Sequence, residues 1–282
     1  MSLFIRKTPY TGPVKAVVLD WAGTAVDFGC MGPAAVFVEV FRKRGIKVSA
    51  AEARQFMGLA KKEHIRKMCG LPAVQTAWQK KFGSLPEAAD VDNLYDRTAD
   101  LMVKAICRHA DVIPGVIDTM ARLRGMGIKI GSSTGYVKEM MDVLVPLAKE
   151  SGYEPDAVVC SSDVPAGRPY PWMCYLNAIK LDVYPMEAMV KIGDTVADIE
   201  EGLNAGMWTV GIVETGNEMG LGSADLEALP KAERARRTRQ IEDRFKAAGA
   251  HYILNRTADV LPVIEDINHR LSGGELPLAG GF

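Results

Sequence analysis

Little in this sequence pulls in one direction. Its 282 residues carry 34 lysines and arginines against 35 aspartates and glutamates, so no global field exists to hold a nucleic-acid backbone or an anionic membrane, although a local basic pocket stays open to it. Cysteine is sparse and odd in number. Cys30, Cys69, Cys107, Cys160 and Cys174 stand far apart, with no C-x-x-C pair and no paired spacing for zinc. That excludes a disulfide scaffold and fits a reducing cytoplasm. Long hydrophobic runs are missing as well. The apolar run nearest the amino terminus, Ala16 to Leu19, ends in a charge, and nothing approaches the roughly 18 residues of a membrane span. Neither an anchor nor a targeting segment is expected. What remains is 48% hydrophobic and 24% charged, the balance of a globular chain long enough for one large core or for a core plus a smaller domain.

Organisation follows from a change of texture. Val14 to Leu19 is a short β-branched and apolar run closed by Asp20, which predicts a buried strand carrying an acid at its carboxyl end. From Pro33 to about Arg108 the periodicity is helical, broken at Gly45, at Gly70-Leu71-Pro72 and at Gly83-Ser84-Leu85-Pro86. After Pro114-Gly115 strands and helices alternate, with strands expected at Ile128–Ser132, Ala157–Cys160, Met189–Ile192, Thr209–Val213 and His251–Leu254. This alternation predicts an α/β fold: a doubly wound, Rossmann-like parallel sheet interrupted after its first strand by an all-helical block. The expected division is a core of residues 1–30 and 111–282 with a helical domain of residues 31–110. The glycine-rich ending from Gly273 is expected to fray.

In open parallel sheets the ligand crevice lies beyond the carboxyl ends of the strands. Four segments fall there: Asp20-Trp21-Ala22-Gly23-Thr24, Ser132-Ser133-Thr134-Gly135-Tyr136, Gly167-Arg168-Pro169 and Gly193-Asp194-Thr195-Val196-Ala197-Asp198. Any one acid among them also serves as a helix cap. Together, separated carboxylates, a hydroxyl and a fixed cation suit phosphoryl transfer, in which magnesium takes carboxylates and substrate oxygens while donors neutralise the remaining charge. Asp194 and Asp198, four apart, share a helix face and can address one ion. Ser132, Ser133 and Thr134 are rivals for the phosphoryl-binding hydroxyl.

The order and strand-end placement of these residues resemble the haloacid dehalogenase superfamily, whose first aspartate is a nucleophile and whose helical insertion is a mobile cap. One departure is informative. Phosphatases of that superfamily carry a second aspartate two residues after the nucleophile, as general acid; here that position is Ala22. Joined with Cys30, Met57-Gly58, Lys61, His64, Thr134-Gly135-Tyr136 and Arg168-Pro169, the alanine makes nearly the whole chain similar to the phosphonatase family within it. The resemblance implies hydrolysis of phosphonoacetaldehyde to acetaldehyde and phosphate through a lysine Schiff base and an aspartyl-phosphate. It implies Asp20, Lys61 and His64 as catalytic residues, and Asp20, the Ala22 carbonyl, Asp194 and Asp198 around magnesium. Thr134 and Arg168 would bind the phosphonate, and Met57, Gly58, Cys30 and Tyr136 would line the aldehyde pocket. It further implies a homodimer meeting through the cap, with hinges near Gly29–Pro33 and Asp111–Gly115.

The chemistry ties these features together. A carbon beside an aldehyde leaves phosphorus poorly, whereas an iminium formed by neutral Lys61 accepts the electron pair as Asp20 attacks. Ala22 leaves room for that imine and removes a charge that would keep the lysine protonated. Burial under the cap and the cations Arg168 and magnesium would lower the Lys61 pKa. Lys61 and His64, three apart on a helix, share a face, so His64 can move protons for the imine; alternatively it is structural, paired with a carboxylate such as Glu63. Two other functions compete: a conventional magnesium-dependent phosphatase acting on a small phosphorylated metabolite, with Lys61 only a contact, and a catalytically silent binding module on the same scaffold.

Overall fold

The computed structural model describes residue 6 and residues 8–278. β1 (Ala16–Leu19) is a fully buried Ala-Val-Val-Leu run, the pattern of a parallel strand covered on both faces. Asp20 follows it at once, and its N–H donates to the Ile192 carbonyl at 2.9 Å. The chain then leaves the sheet for a block of helices: α1 (Met31–Lys43), α2 (Ala50–Arg54), α3 (Lys61–Cys69), α4 (Pro72–Phe82) and α5 (Ala88–Ile106). Local chemistry sets their starts. The Asp27 carboxylate accepts from the N–H groups of Met31 and Gly32, both at 3.0 Å, and a Ser49–Glu52 capping box opens α2. Pro72 sits in the first turn of α4.

The two passages between block and sheet run side by side. Asp27 N–H donates to the Asp111 carbonyl at 3.1 Å, Ile113 N–H to Ala25 at 2.9 Å, and Val26 bridges Val112 in antiparallel fashion. Asp27, Gly29 and Cys30 all take positive φ there (55°, 84° and 49°).

Beyond Gly115 come α6 (Val116–Gly125), β2 (Lys129–Thr134), α7 (Lys138–Glu150), β3 (Ala157–Cys160), α8 (Trp172–Leu181), β4 (Met189–Gly193), α9 (Val196–Asn204) and β5 (Trp208–Ile212). The chain closes with α10 (Ser223–Ala228), α11 (Lys231–Ala247), β6 (Tyr252–Leu254) and α12 (Leu261–Ser272). All six strands are parallel, in the order β3-β2-β1-β4-β5-β6. Val17 and Leu19 of β1 join the apolar core on one face, and Ala16 and Val18 join that on the other. The doubly wound reading therefore holds. Order reverses at β1, between β2 and β4, so the crevice lies above Leu19 and Ile192.

Some boundaries differ from expectation. β2 runs on to Thr134 because Thr134 still pairs with Cys160 of β3, and β1 begins at Ala16 rather than Val14. The ending is better held than its composition suggests: Arg270 pairs with Glu275, Pro277 is buried, and His251 Nε2 donates to the Leu278 carbonyl at 3.0 Å. Residues 279–282 of that expected frayed segment lie outside the described residues. Among the described residues no helix is long and apolar enough to cross a membrane.

Candidate active site

Three acids converge above the β1–β4 edge. Asp20, Asp194 and Asp198 are all buried and each offers an oxygen within 4.8 Å of the others. Asp194 is gripped on both oxygens, by Thr24 Oγ1 at 3.0 Å and by the Asn217 N–H at 2.7 Å. Asp198 accepts from Thr195 Oγ1 at 2.6 Å as part of the cap of α9, and pairs with Lys191 at 2.6 Å. The Ala22 carbonyl beside them receives no hydrogen bond among the described residues.

Charge balance argues for a cation. Four buried carboxylates, these three and Glu201, outnumber the three buried cations beside them, Arg168, Lys191 and Lys61, and isolated buried charge is costly. Burial first, then Asp20 and Asp198, drives the Asp194 carboxyl well above its ordinary range. Asp20 is likewise raised by burial, with Arg168 opposing. Burial would raise Asp198 too, but Arg168 and Lys191 outweigh it and hold the group low. Hard oxygen donors with an excess of negative charge fit a divalent cation of the magnesium class. Asp20, Asp194 and the Ala22 carbonyl have acceptor capacity to hold it, and Asp198 buttresses them.

Arg168 ties the acids together. Its Nη2 donates to Asp20 Oδ1 at 2.7 Å and to the Ser133 carbonyl at 2.8 Å, and lies 3.1 Å from Asp198 Oδ1. Its Nε is anchored on Glu201 Oε2 at 2.9 Å. The fork is therefore held along one edge, and Nη1, with only a 3.4 Å contact to the Gly58 carbonyl, is the least engaged nitrogen. The rival hydroxyls are sorted by the same network. Ser132 Oγ donates to the Ala157 carbonyl at 3.1 Å and Ser133 Oγ to Glu201 at 3.1 Å, whereas Thr134 lines the pocket and accepts from the Tyr136 N–H.

α3 brings Lys61 and His64 in from the helical block. Lys61 is only 3% exposed, and its ammonium lies 4.6 Å from the Tyr136 ring centroid and 5.7 Å from that of Phe37. Its pKa is lowered from 10.5 to about 8. Burial is the principal cause and Arg168 adds to it, while Cys30 and Asp20 oppose. Of the two causes expected, burial and neighbouring cations, removal from water does most of the work and Arg168 the lesser part. His64 is not paired with Glu63, which binds Arg66 instead. Its Nε2 donates to the Ala53 carbonyl at 2.8 Å, its ring stacks on Phe37 at 3.8 Å, and Nδ1 is buried with no hydrogen-bond partner among the described residues. Burial, then Lys61, lowers its pKa to about 3, so the ring is a neutral acceptor at neutral pH.

Asp20, Ala22, Cys30, Met57, Gly58, Lys61, Thr134, Tyr136, Arg168 and Asp194 all line one cavity of about 20 Å³, room for about one water. His64 lies behind Lys61 and Asp198 beneath the acids, outside that lining. The roof is tight. Gly58 has φ +89°, and a Cβ there would stand 2.5 Å from Thr195 Oγ1. Three residues of this network escaped the sequence reading: Glu201, Lys191 and Asn217. Lys191 interrupts the apolar run of β4, and Glu201 stands three beyond Asp198 on the same face of α9, so both left a signal; Asp194 itself precedes the Thr195 cap, so it meets Asp198 through the loop before α9 and not, as expected, along a shared helix face. Asn217 left none.

Comparison with known proteins agrees with this geometry. Residues 14–206 match the model of the haloacid dehalogenase-like hydrolases. A phosphonoacetaldehyde hydrolase of Syntrophobacter fumaroxidans is 54% identical over 277 residues, covering 98% of this chain and all of the relative. A phosphonoacetaldehyde hydrolase-like protein of the same organism is 55% identical over the same span. The crystal structure of a phosphonoacetaldehyde hydrolase-like protein from Oleispira antarctica superposes with a TM-score of 0.94 at 41% identity, covering 98% of this chain and 100% of that one. A strand-end cluster of acids under a helical insertion, matched along the full length by such relatives, makes this chain a hydrolase that belongs to the haloacid dehalogenase-like family and, within it, to the phosphonoacetaldehyde hydrolases.

Proposed function

We propose that the protein hydrolyses phosphonoacetaldehyde to acetaldehyde and phosphate. The observation that carries this reading is a buried lysine amine of lowered pKa facing a buried aspartate, with alanine where a phosphatase needs its acid. Lys61 Nζ adds to the aldehyde carbon, water leaves, and the protonated imine forms. Asp20 then attacks phosphorus; the P–C bond breaks and its electron pair enters the C=N system to give an enamine. Protonation of the enamine carbon and hydrolysis of the imine release acetaldehyde and free Lys61, and water hydrolyses the aspartyl-phosphate. Thr134 Oγ1 and Arg168 Nη1 bind phosphonate oxygens, Arg168 acting as the planar donor. His64 Nδ1, which can only accept, takes a hydrogen bond from water or from the amine during imine formation. Asp20, Asp194 and the Ala22 carbonyl, with Asp198 in support, would hold magnesium, which would supply charge neutralisation for the phosphoryl group.

The cavity is far smaller than the substrate, which supports residues 31–110 acting as a cap that opens on the paired passages at Gly29–Pro33 and Asp111–Gly115. A homodimer joined through the cap belongs to the same reading, supported by the half-exposed Phe82 and Leu85 near the end of α4; light scattering tests it. So does a cytoplasmic location, which five free cysteines suit.

The test is release of acetaldehyde and phosphate in equal amounts from phosphonoacetaldehyde with magnesium. Borohydride added during turnover should leave a stable adduct on Lys61, and Lys61→Arg should stop the reaction. Activity surviving in Lys61→Arg would refute the imine and favour the conventional phosphatase. Absence of magnesium-dependent phosphate release from any phosphorylated or phosphonate substrate would favour the silent module.

A further inference from the structure

Arg54 is the last residue of α2, three residues before the start of the Met57–Lys61 segment, and it does not line the cavity. Its Nη1 nevertheless gathers three acceptors from two distant parts of the chain: the Gly29 carbonyl at 2.9 Å, the Cys30 carbonyl at 3.2 Å and Asn217 Oδ1 at 3.1 Å. Asn217 is 1% exposed and lies in the core loop after β5. Its Nδ2 returns a bond to the Arg54 carbonyl at 3.1 Å, so the two residues hold each other in both directions. The same asparagine gives its main-chain N–H to Asp194 Oδ2 at 2.7 Å. Nearby, Thr215 Oγ1 donates to the Gly23 carbonyl at 2.7 Å, binding this loop to the segment that follows Asp20.

We propose that Arg54 and Asn217 form a latch that closes the helical block onto the core and ties closure to the placement of Asp194. Movement of α2 away from the core must break the Arg54–Asn217 pair in both directions, whereas the next polar tie across the roof, Arg168 Nη1 to the Gly58 carbonyl, is long at 3.4 Å. Since α2 runs directly into the segment ending at Lys61, the latch sets how long the amine stays over Asp20. Arg54 is thus a positioning residue: it acts through Asn217 and the connecting passage, not on the substrate. The inference rests on the assigned reaction for its kinetic consequence but not for its closure.

Two measurements test it on the intact protein. The first is reductive methylation with formaldehyde and cyanoborohydride, read by peptide mass spectrometry as the rate at Lys61 relative to its solvent-facing neighbour Lys62. Arg54→Ala and Asn217→Ala should each raise that ratio about tenfold, in line with loss of a charge-assisted hydrogen bond. Asn217→Ala keeps the N–H that holds Asp194 and keeps Arg54 on the passage carbonyls, so it decides the matter if Arg54→Ala fails to fold. The second is kinetic. Each variant should lose on the order of 10- to 100-fold in kcat/KM, mostly in kcat, and the double variant should be no worse than the worse single one. An unchanged labelling ratio, or single losses that multiply in the double variant, would overturn the latch. Variant-dependent labelling in a protein that never turns over phosphonoacetaldehyde would keep the latch and overturn the assigned reaction.

Discussion

Lys61→Met should make this protein more stable while destroying its activity. Methionine keeps the unbranched stem and suits the aromatic surroundings of Tyr136 and Phe37, but removes a charge that is 3% exposed. The drop in the Lys61 pKa from 10.5 to about 8 corresponds, at about 1.4 kcal/mol per pH unit, to about 3 kcal/mol of strain against the charged form. The sign follows from linkage. Between about pH 8 and 10.5 the unfolded chain holds a proton that the folded chain has lost, so wild-type stability rises with pH across that window and the penalty is complete below it. The variant lacks the penalty. Melting in EDTA, so that only the protein's own charges act, should therefore show a gap at pH 7 of about 3 kcal/mol, roughly 5 °C for a chain of this size. The gap should close by about pH 10.5. A variant that melts no higher than wild type at pH 7, or a gap unchanged at high pH, would refute burial as the cause of the lysine's lowered pKa.

Because the free amine is the reactive form, kcat/KM should rise with pH and level off above about 8, a limb absent from any residual activity of Lys61→Arg; a flat profile from pH 6 to 9 would contradict this. Ala22→Asp places a carboxylate beside the pocket, so that limb should move upward in pH and activity at pH 7 should fall at least tenfold, as measured by acetaldehyde release. Glu201→Gln loosens Arg168 and Lys191 together: kcat/KM should drop by about tenfold or more and the melting temperature should fall, because one side of a buried ion network loses its charge. Magnesium should raise the wild-type melting temperature and chelation should lower it. Asp194→Asn should melt higher than wild type in EDTA yet gain little from magnesium, since it relieves carboxylate repulsion and removes a ligand at once.

The readable parts of the molecule are those with a local signature. The run Ala16–Leu19 followed by an acid, the alternation after Gly115 and the helical texture from Pro33 each have a period or a boundary, so sheet, insertion and strand-end acids were legible before any coordinates. Ala22 was legible as a departure from a pattern, and it redirected the chemistry toward Lys61. The choice among Ser132, Ser133 and Thr134 was not legible, because successive strand residues alternate faces and one residue of register reassigns them all. Nor was the partner of His64, since a half-buried Glu63 beside it in sequence, paired with Arg66, is outcompeted by the Ala53 carbonyl, which only the packing of α2 on α3 presents.

By itself, then, the order of residues determined the architecture, the acids at the crevice and the kind of reaction, since each depends on short-range pattern or on which residue type occupies a motif position. The tertiary structure alone decided how strongly Lys61 is driven to neutrality, which hydroxyl faces the pocket, and that Arg54 and Asn217, 163 positions apart, hold each other. Burial and long-range hydrogen bonding depend on what surrounds a group in three dimensions, and no periodicity along the chain encodes that.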